Sequence, residues 1–152
     1  MKKRILLNIT ILITMIIFIH SSIPAVESTV ESDAAYGILD SVTEFIHLPN
    51  LFTAVTIRKL AHFCEFAVFG FFLSETVKAY CTSLKNEVFK ILFFLLCVPV
   101  IDETIQYFPL GRSAQVSDVL LDFSGGMFGF LCMVILAAAA AFLHKRKSSR
   151  HR

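Results

Sequence analysis

Three short stretches of the chain set ionisable side chains among apolar ones: Arg58-Lys59-Leu60-Ala61-His62-Phe63-Cys64-Glu65, Asp102-Glu103-Thr104-Ile105-Gln106, and the pair Asp118 and Asp122. At about 100° per residue, Arg58, His62, Glu65 and Phe69 form one helical stripe, with Lys59 pointing elsewhere. Asp102 and Gln106 lie one turn apart with Glu103 beside them, and Asp118, Asp122, Gly125 and Gly129 share a face. His62, Glu65, Asp102 and Glu103 are the candidates for acid–base catalysis, because clustered carboxylates in a low dielectric tend to share protons. Arg58, Lys59 and Arg112 offer donors to phosphate, and an arginine can do so in bidentate fashion. With Gln106, Asp118 and Asp122 they form the candidate ligand-binding set. No residue is assigned as a metal ligand and no cofactor is called for.

The elements that carry these groups must lie in a membrane. The chain has 152 residues, of which 56% are hydrophobic and 17% charged, too little polar surface to cover a soluble monomer. A spanning helix needs about 20 mainly apolar residues, and four segments qualify: Ile5 to Ile23, Leu60 to Val77, Val88 to Phe108 and Val119 to Leu143. The expected fold is therefore an all-α integral membrane bundle of about four helices in a single domain, residues 1–152. Residues 24–56 form an acidic loop and 144–152 a basic tail. The first segment, with Lys2-Lys3-Arg4 before it and Ser21 to Ala25 after it, also has the form of a secretory signal, but Ile23 fits a cleavage site poorly. A retained helix is the favoured reading.

Basic residues in short loops stay on the cytoplasmic side. With the N-terminus inside, eleven of the 14 Lys and Arg residues fall in the cytoplasm, and only Arg58, Lys59 and Arg112 fall outside. Both termini are thus expected in the cytoplasm, and all three polar stretches converge at the outer end of the bundle. Gly125 and Gly129 form a GxxxG pattern that lets a neighbouring helix approach, and Pro99 interrupts the third span just before Asp102. The four cysteines are expected to be buried, reduced and unpaired. The basic tail suits anionic lipid, with no nucleic acid and no protein partner required.

At these residues the chain resembles the VanZ-like family of membrane proteins, named for a teicoplanin-resistance protein of Gram-positive bacteria. The matching stretches run from Arg58 to Gly70, from Asp102 to Arg112 and from Asp118 to Gly126. Within them Lys59, His62, Glu65, Asp102, Glu103, Gln106, Arg112, Asp118 and Gly125 occupy the family's motif positions. Phe66 replaces the usual Tyr, Asp122 replaces a common Asn, and Pro109-Leu110-Gly111 spreads the usual Pro-Gly pair. The resemblance implies a multi-pass protein of the cell membrane that reduces sensitivity to teicoplanin-type lipoglycopeptides, an antibiotic-resistance role. It implies no agreed biochemical activity.

Three readings of the polar residues follow. They form a structural network, with His62 bonded to Glu65 and Asp102, and Arg112 paired with Glu103 or Asp118. Or they bind, or enzymatically modify, an envelope lipid or cell-wall precursor. Or their oxygen-rich set handles a proton or a hard cation such as Mg, Ca or Mn. The orientation is testable directly. In a variant whose native cysteines are replaced by serine, Asp40→Cys is expected to react with an impermeant thiol reagent in intact cells; labelling only after lysis would invert the topology.

Overall fold

In a computed structural model of the chain, residues 2–24, 53–81, 83–110 and 114–150 are described. They form four helices and no strand: α1 (Lys2–Ser21), α2 (Ala54–Tyr80), α3 (Leu84–Gln106) and α4 (Val116–Arg150). Three of them contain stretches long and apolar enough to cross a membrane, Lys2–Ser21, Val55–Tyr80 and Val116–Lys147. α3 has the length, 23 residues, or about 34 Å. It falls short on composition, because Lys85, Glu87, Lys90, Asp102 and Glu103 interrupt its apolar run.

The helices extend beyond the apolar cores expected of them. α2 begins six residues before Leu60, where Thr53 caps the helix by accepting the amide of Thr56 at 3.2 Å, so Arg58 and Lys59 stand within the helix rather than ahead of it. α4 continues through the basic segment to Arg150. Residues 25–52, most of the acidic loop, lie outside the described residues.

Contacts between helices set their directions. Near one end, the Lys3 ammonium sits 5.6 Å from the ring centre of Tyr80 and Thr10 bonds Thr76 at 2.8 Å. Near the other, His20 bonds Glu65 at 2.8 Å, so α1 and α2 are antiparallel. Lys59 reaches Asp118 and Phe63 abuts Gly125, so α2 and α4 run parallel. α3 runs beside α1, its Asp102 accepting from Ser21 at the end of α1.

Between the two ends the bundle is apolar. Ile17, Phe66, Phe69, Leu73, Ile91, Leu95, Val98, Phe130 and Met133 make one buried cluster drawn from all four helices. Phe66 and Phe69 meet edge to face at 6.3 Å. Leu12, Phe93, Phe94, Leu131 and Ile135 point outward, which suits a hydrocarbon solvent rather than water. Cys64 is exposed on this outer surface and Cys81, Cys97 and Cys132 are half-buried, contrary to the expectation that all four cysteines are buried, because these positions sit at the edge of or outside the helix contacts. None of the four cysteines is paired.

The tightest joint lies between α2 and α4. A Cβ at Gly129 would stand 1.9 Å from the Ala67 carbonyl oxygen, and one at Gly70 2.1 Å from that of Gly126. The partners are backbone atoms, which cannot rotate aside, so the close approach requires glycine at both positions. Gly129→Ala is expected to force the helices apart and to cost about 1–3 kcal/mol, read as earlier unfolding of the purified protein. Ala138→Leu, on the exposed face of α4, should stay within about 0.5 kcal/mol of wild type. Equal behaviour of the two variants would refute the close joint.

Candidate functional site

The polar residues gather where α1 and α3 end and α2 and α4 begin. Each helix contributes for a reason visible in its spacing. On α2, Lys59, Phe63, Phe66 and Gly70 follow the i, i+4, i+7, i+11 pattern that faces one neighbour. The backbone contacts of Phe63 and Gly70 show that neighbour to be α4. Lys59 therefore belongs to the α4 side, and its Nζ donates to Asp118 Oδ1 at 2.8 Å. Lys59 thus lies off the stripe through Arg58, and the cavity is lined from both faces of α2.

The next stripe, Arg58, His62, Glu65 and Phe69, turns toward α1 and α3. His20 Nδ1 and Glu65 Oε1 share a hydrogen bond of 2.8 Å, giving Glu65 a partner from α1. His62 lies on the inner edge, its Nδ1 3.9 Å from Asp122 Oδ2.

α3 delivers Asp102 and Glu103 into full burial. Asp102 accepts from the Ser21 hydroxyl through Oδ1 and from Gln106 Nε2 through Oδ2 at 2.8 Å. The second bond is the one-turn contact that the i, i+4 spacing allows. Gln106 also donates to the Ser21 hydroxyl at 3.4 Å. Glu103 Oε1 accepts the backbone amide of Gln115 at 2.6 Å, just ahead of α4. This contact ties the start of α4 to α3.

Asp122 differs from its neighbours. Its side chain is 1% exposed, and neither carboxylate oxygen has a hydrogen-bond partner among the described residues. A cavity of about 20 Å3 opens beside it, lined by Arg58, Lys59, His62, Glu103, Gln106, Asp118, Leu121 and Asp122. That is room for about one water molecule or small ion. One donor atom from each of His62, Asp102 and Asp122 lies within 4.8 Å of the others.

Of the ten residues singled out in the sequence, Arg58, Lys59, His62, Glu103, Gln106, Asp118 and Asp122 line one cavity. Asp102 sits next to it and Glu65 is drawn off toward α1. Arg112 lies outside the described residues, as do its expected pairings with Glu103 and Asp118. His20, Ser21 and the Gln115 amide were not anticipated. His20 and Ser21 are the only polar residues of their turn that close an apolar helix, and that position, level with Glu65 and Asp102 in an antiparallel bundle, was the available signal.

Two kinds of contact are present, and they should differ in strength. The Lys59–Asp118 pair is partly open, with side-chain exposures of 42% and 23%, so a double-mutant cycle is expected to give a coupling below about 1 kcal/mol. Ser21 and Asp102 are both fully buried, and their cycle should give about 1–2 kcal/mol. The reverse order, measured by denaturation in mixed micelles, would contradict the geometry.

The family model described as VanZ/LLP1 matches residues 6–137. No curated protein and no solved structure matches the chain.

Proposed function

The chain belongs to the VanZ/LLP1 family, and we propose that it works in the cell membrane as a multi-pass binding protein. Its polar end engages an anionic group of an envelope lipid or cell-wall component, and this engagement lowers sensitivity to teicoplanin-type lipoglycopeptides. The observation that carries the reading is Arg58. It lines the cavity beside Lys59, and among the described residues no carboxylate lies within ion-pair distance of it. An arginine that no described carboxylate pairs, beside a polar cavity, is suited to a phosphate or carboxylate from outside.

The distribution of charge supports an outward-facing site. Lys2, Lys3, Arg4, Lys78, Lys85 and Lys145 to Lys147 belong to the opposite end of the bundle, where Lys3 meets Tyr80. Under the rule that basic ends stay in the cytoplasm, the carboxylate-rich end faces out. There it meets lipid headgroups and lipid-linked wall intermediates. The binding reading needs no turnover, and catalytic roles for His62, Glu65, Asp102 and Glu103 are not required by it.

The competing reading, a network whose only role is to join helices, is favoured by the internal partners of Glu65, Asp102 and Asp118. Arg58 separates the two. In a teicoplanin-sensitive Gram-positive host, wild type is expected to raise the inhibitory concentration of teicoplanin, and Arg58→Gln at matched membrane abundance to lose most of that rise. Failure of wild type to alter susceptibility would end the resistance reading. A loss that follows abundance alone would assign the residue to the structural network.

A further inference from the structure

We propose that His62, Asp102 and Asp122 hold a divalent transition-metal cation, of the Mn2+ or Zn2+ class, beneath the rim of the polar cavity. This site is distinct from the envelope-ligand contact at Arg58 and does not rest on it.

The first observation is Asp122. An ionised carboxylate can only accept, and one buried without a donor is strongly unfavourable unless something positive neutralises it. Here both oxygens are buried and neither has a hydrogen-bond donor. The nearby imidazole does not provide one, since His62 Nδ1 stands 3.9 Å from Oδ2, beyond hydrogen-bonding reach.

The second observation is spacing. Bonds of about 2.0–2.5 Å to a shared ion leave two donors as much as 4–5 Å apart. His62, Asp102 and Asp122, from three different helices, each present a donor within 4.8 Å of the others. That is the spacing of ligands around one ion.

The third is support and charge. Asp102 is oriented by Ser21 and Gln106, one donor on each oxygen, which leaves lone pairs for a metal while fixing the carboxylate. Among the described residues, and with His62 neutral, the cavity carries Arg58 and Lys59 against Glu103, Asp118 and Asp122. Asp102 behind it brings the sum to minus two, which one divalent cation cancels. Three protein ligands beside a cavity of about 20 Å3 leave a coordination position for water. One imidazole with two carboxylates suits Mn2+ or Zn2+, whereas Ca2+ takes six to eight oxygens.

The test uses the full chain purified in detergent, stripped with EDTA and dialysed, then titrated separately with MnCl2, ZnCl2 and CaCl2. Metal content by mass spectrometry should reach about one Mn2+ or Zn2+ per chain, with a higher unfolding temperature. Asp122→Asn and His62→Gln, each checked for a wild-type elution profile, should bind at least tenfold more weakly. Absence of bound metal and of any thermal shift in wild type overturns the proposal, as does an undiminished affinity in Asp122→Asn. Preference for Ca2+ over both other ions overturns the assigned class. No antibiotic enters the measurement, so its failure is separate from failure of the resistance reading.

Discussion

The backbone contact between α2 and α4 is the constraint on which the polar end depends. Gly70, Gly125 and Gly129 bring main chain against main chain, and such a contact admits one register, because a slip by a turn would set side chains into the opposing backbone. With Phe63 level with Gly125 and Ala67 level with Gly129, the residues one and two turns above must also meet. Lys59 arrives at Asp118 and His62 approaches Asp122. The polar contacts are therefore aligned by packing below them, and need not be strong to be well placed.

A second consequence of the close joint is that α4 presents Asp122 to a space already shaped by other helices. α1 closes one side with His20 and Ser21, and α3 closes another with Asp102, Glu103 and Gln106. Carboxylates in an apolar bundle find donors wherever they can. Glu65 takes one from α1, Asp118 from α2, Asp102 from α1 and its own helix, and Glu103 from a backbone amide. Asp122 is the carboxylate that this arrangement leaves over.

Much of this was legible in the chain before folding. Four apolar segments could be counted, and charge sorting placed Arg58, His62, Asp102 and Asp118 at one end, because successive membrane crossings alternate in direction. The glycine spacing pointed to a close helix contact without naming the partner. Other features were not legible, for physical reasons. α1 is almost uniformly apolar, so nothing in its periodicity says which face is buried, and the roles of His20 and Ser21 depend on α1 ending level with Glu65. Lys59 lies off the stripe through Arg58 and still lines the cavity, because a helix packed against three neighbours uses two stripes, and which neighbour each stripe meets is not written in the spacing. Glu103 finds its donor in a backbone amide, which no side-chain pattern announces.

α3 shows what such a design asks of membrane insertion. Its charged residues make it a poor candidate to enter hydrocarbon alone, since each one near the centre of a span adds about 2.5–3.5 kcal/mol to the transfer. Yet it follows α2 after a connection of only three residues, Cys81 to Ser83, and its far end is fastened to α1 through Asp102. Its place in the bundle is thus set by its neighbours as well as by its own apolar residues. Two of the carboxylates that break the apolar run of α3 are ones its neighbours satisfy, Asp102 through Ser21 of α1 and Glu103 through the Gln115 amide ahead of α4, so residues that spoil its hydropathy are also those that fasten it in the bundle.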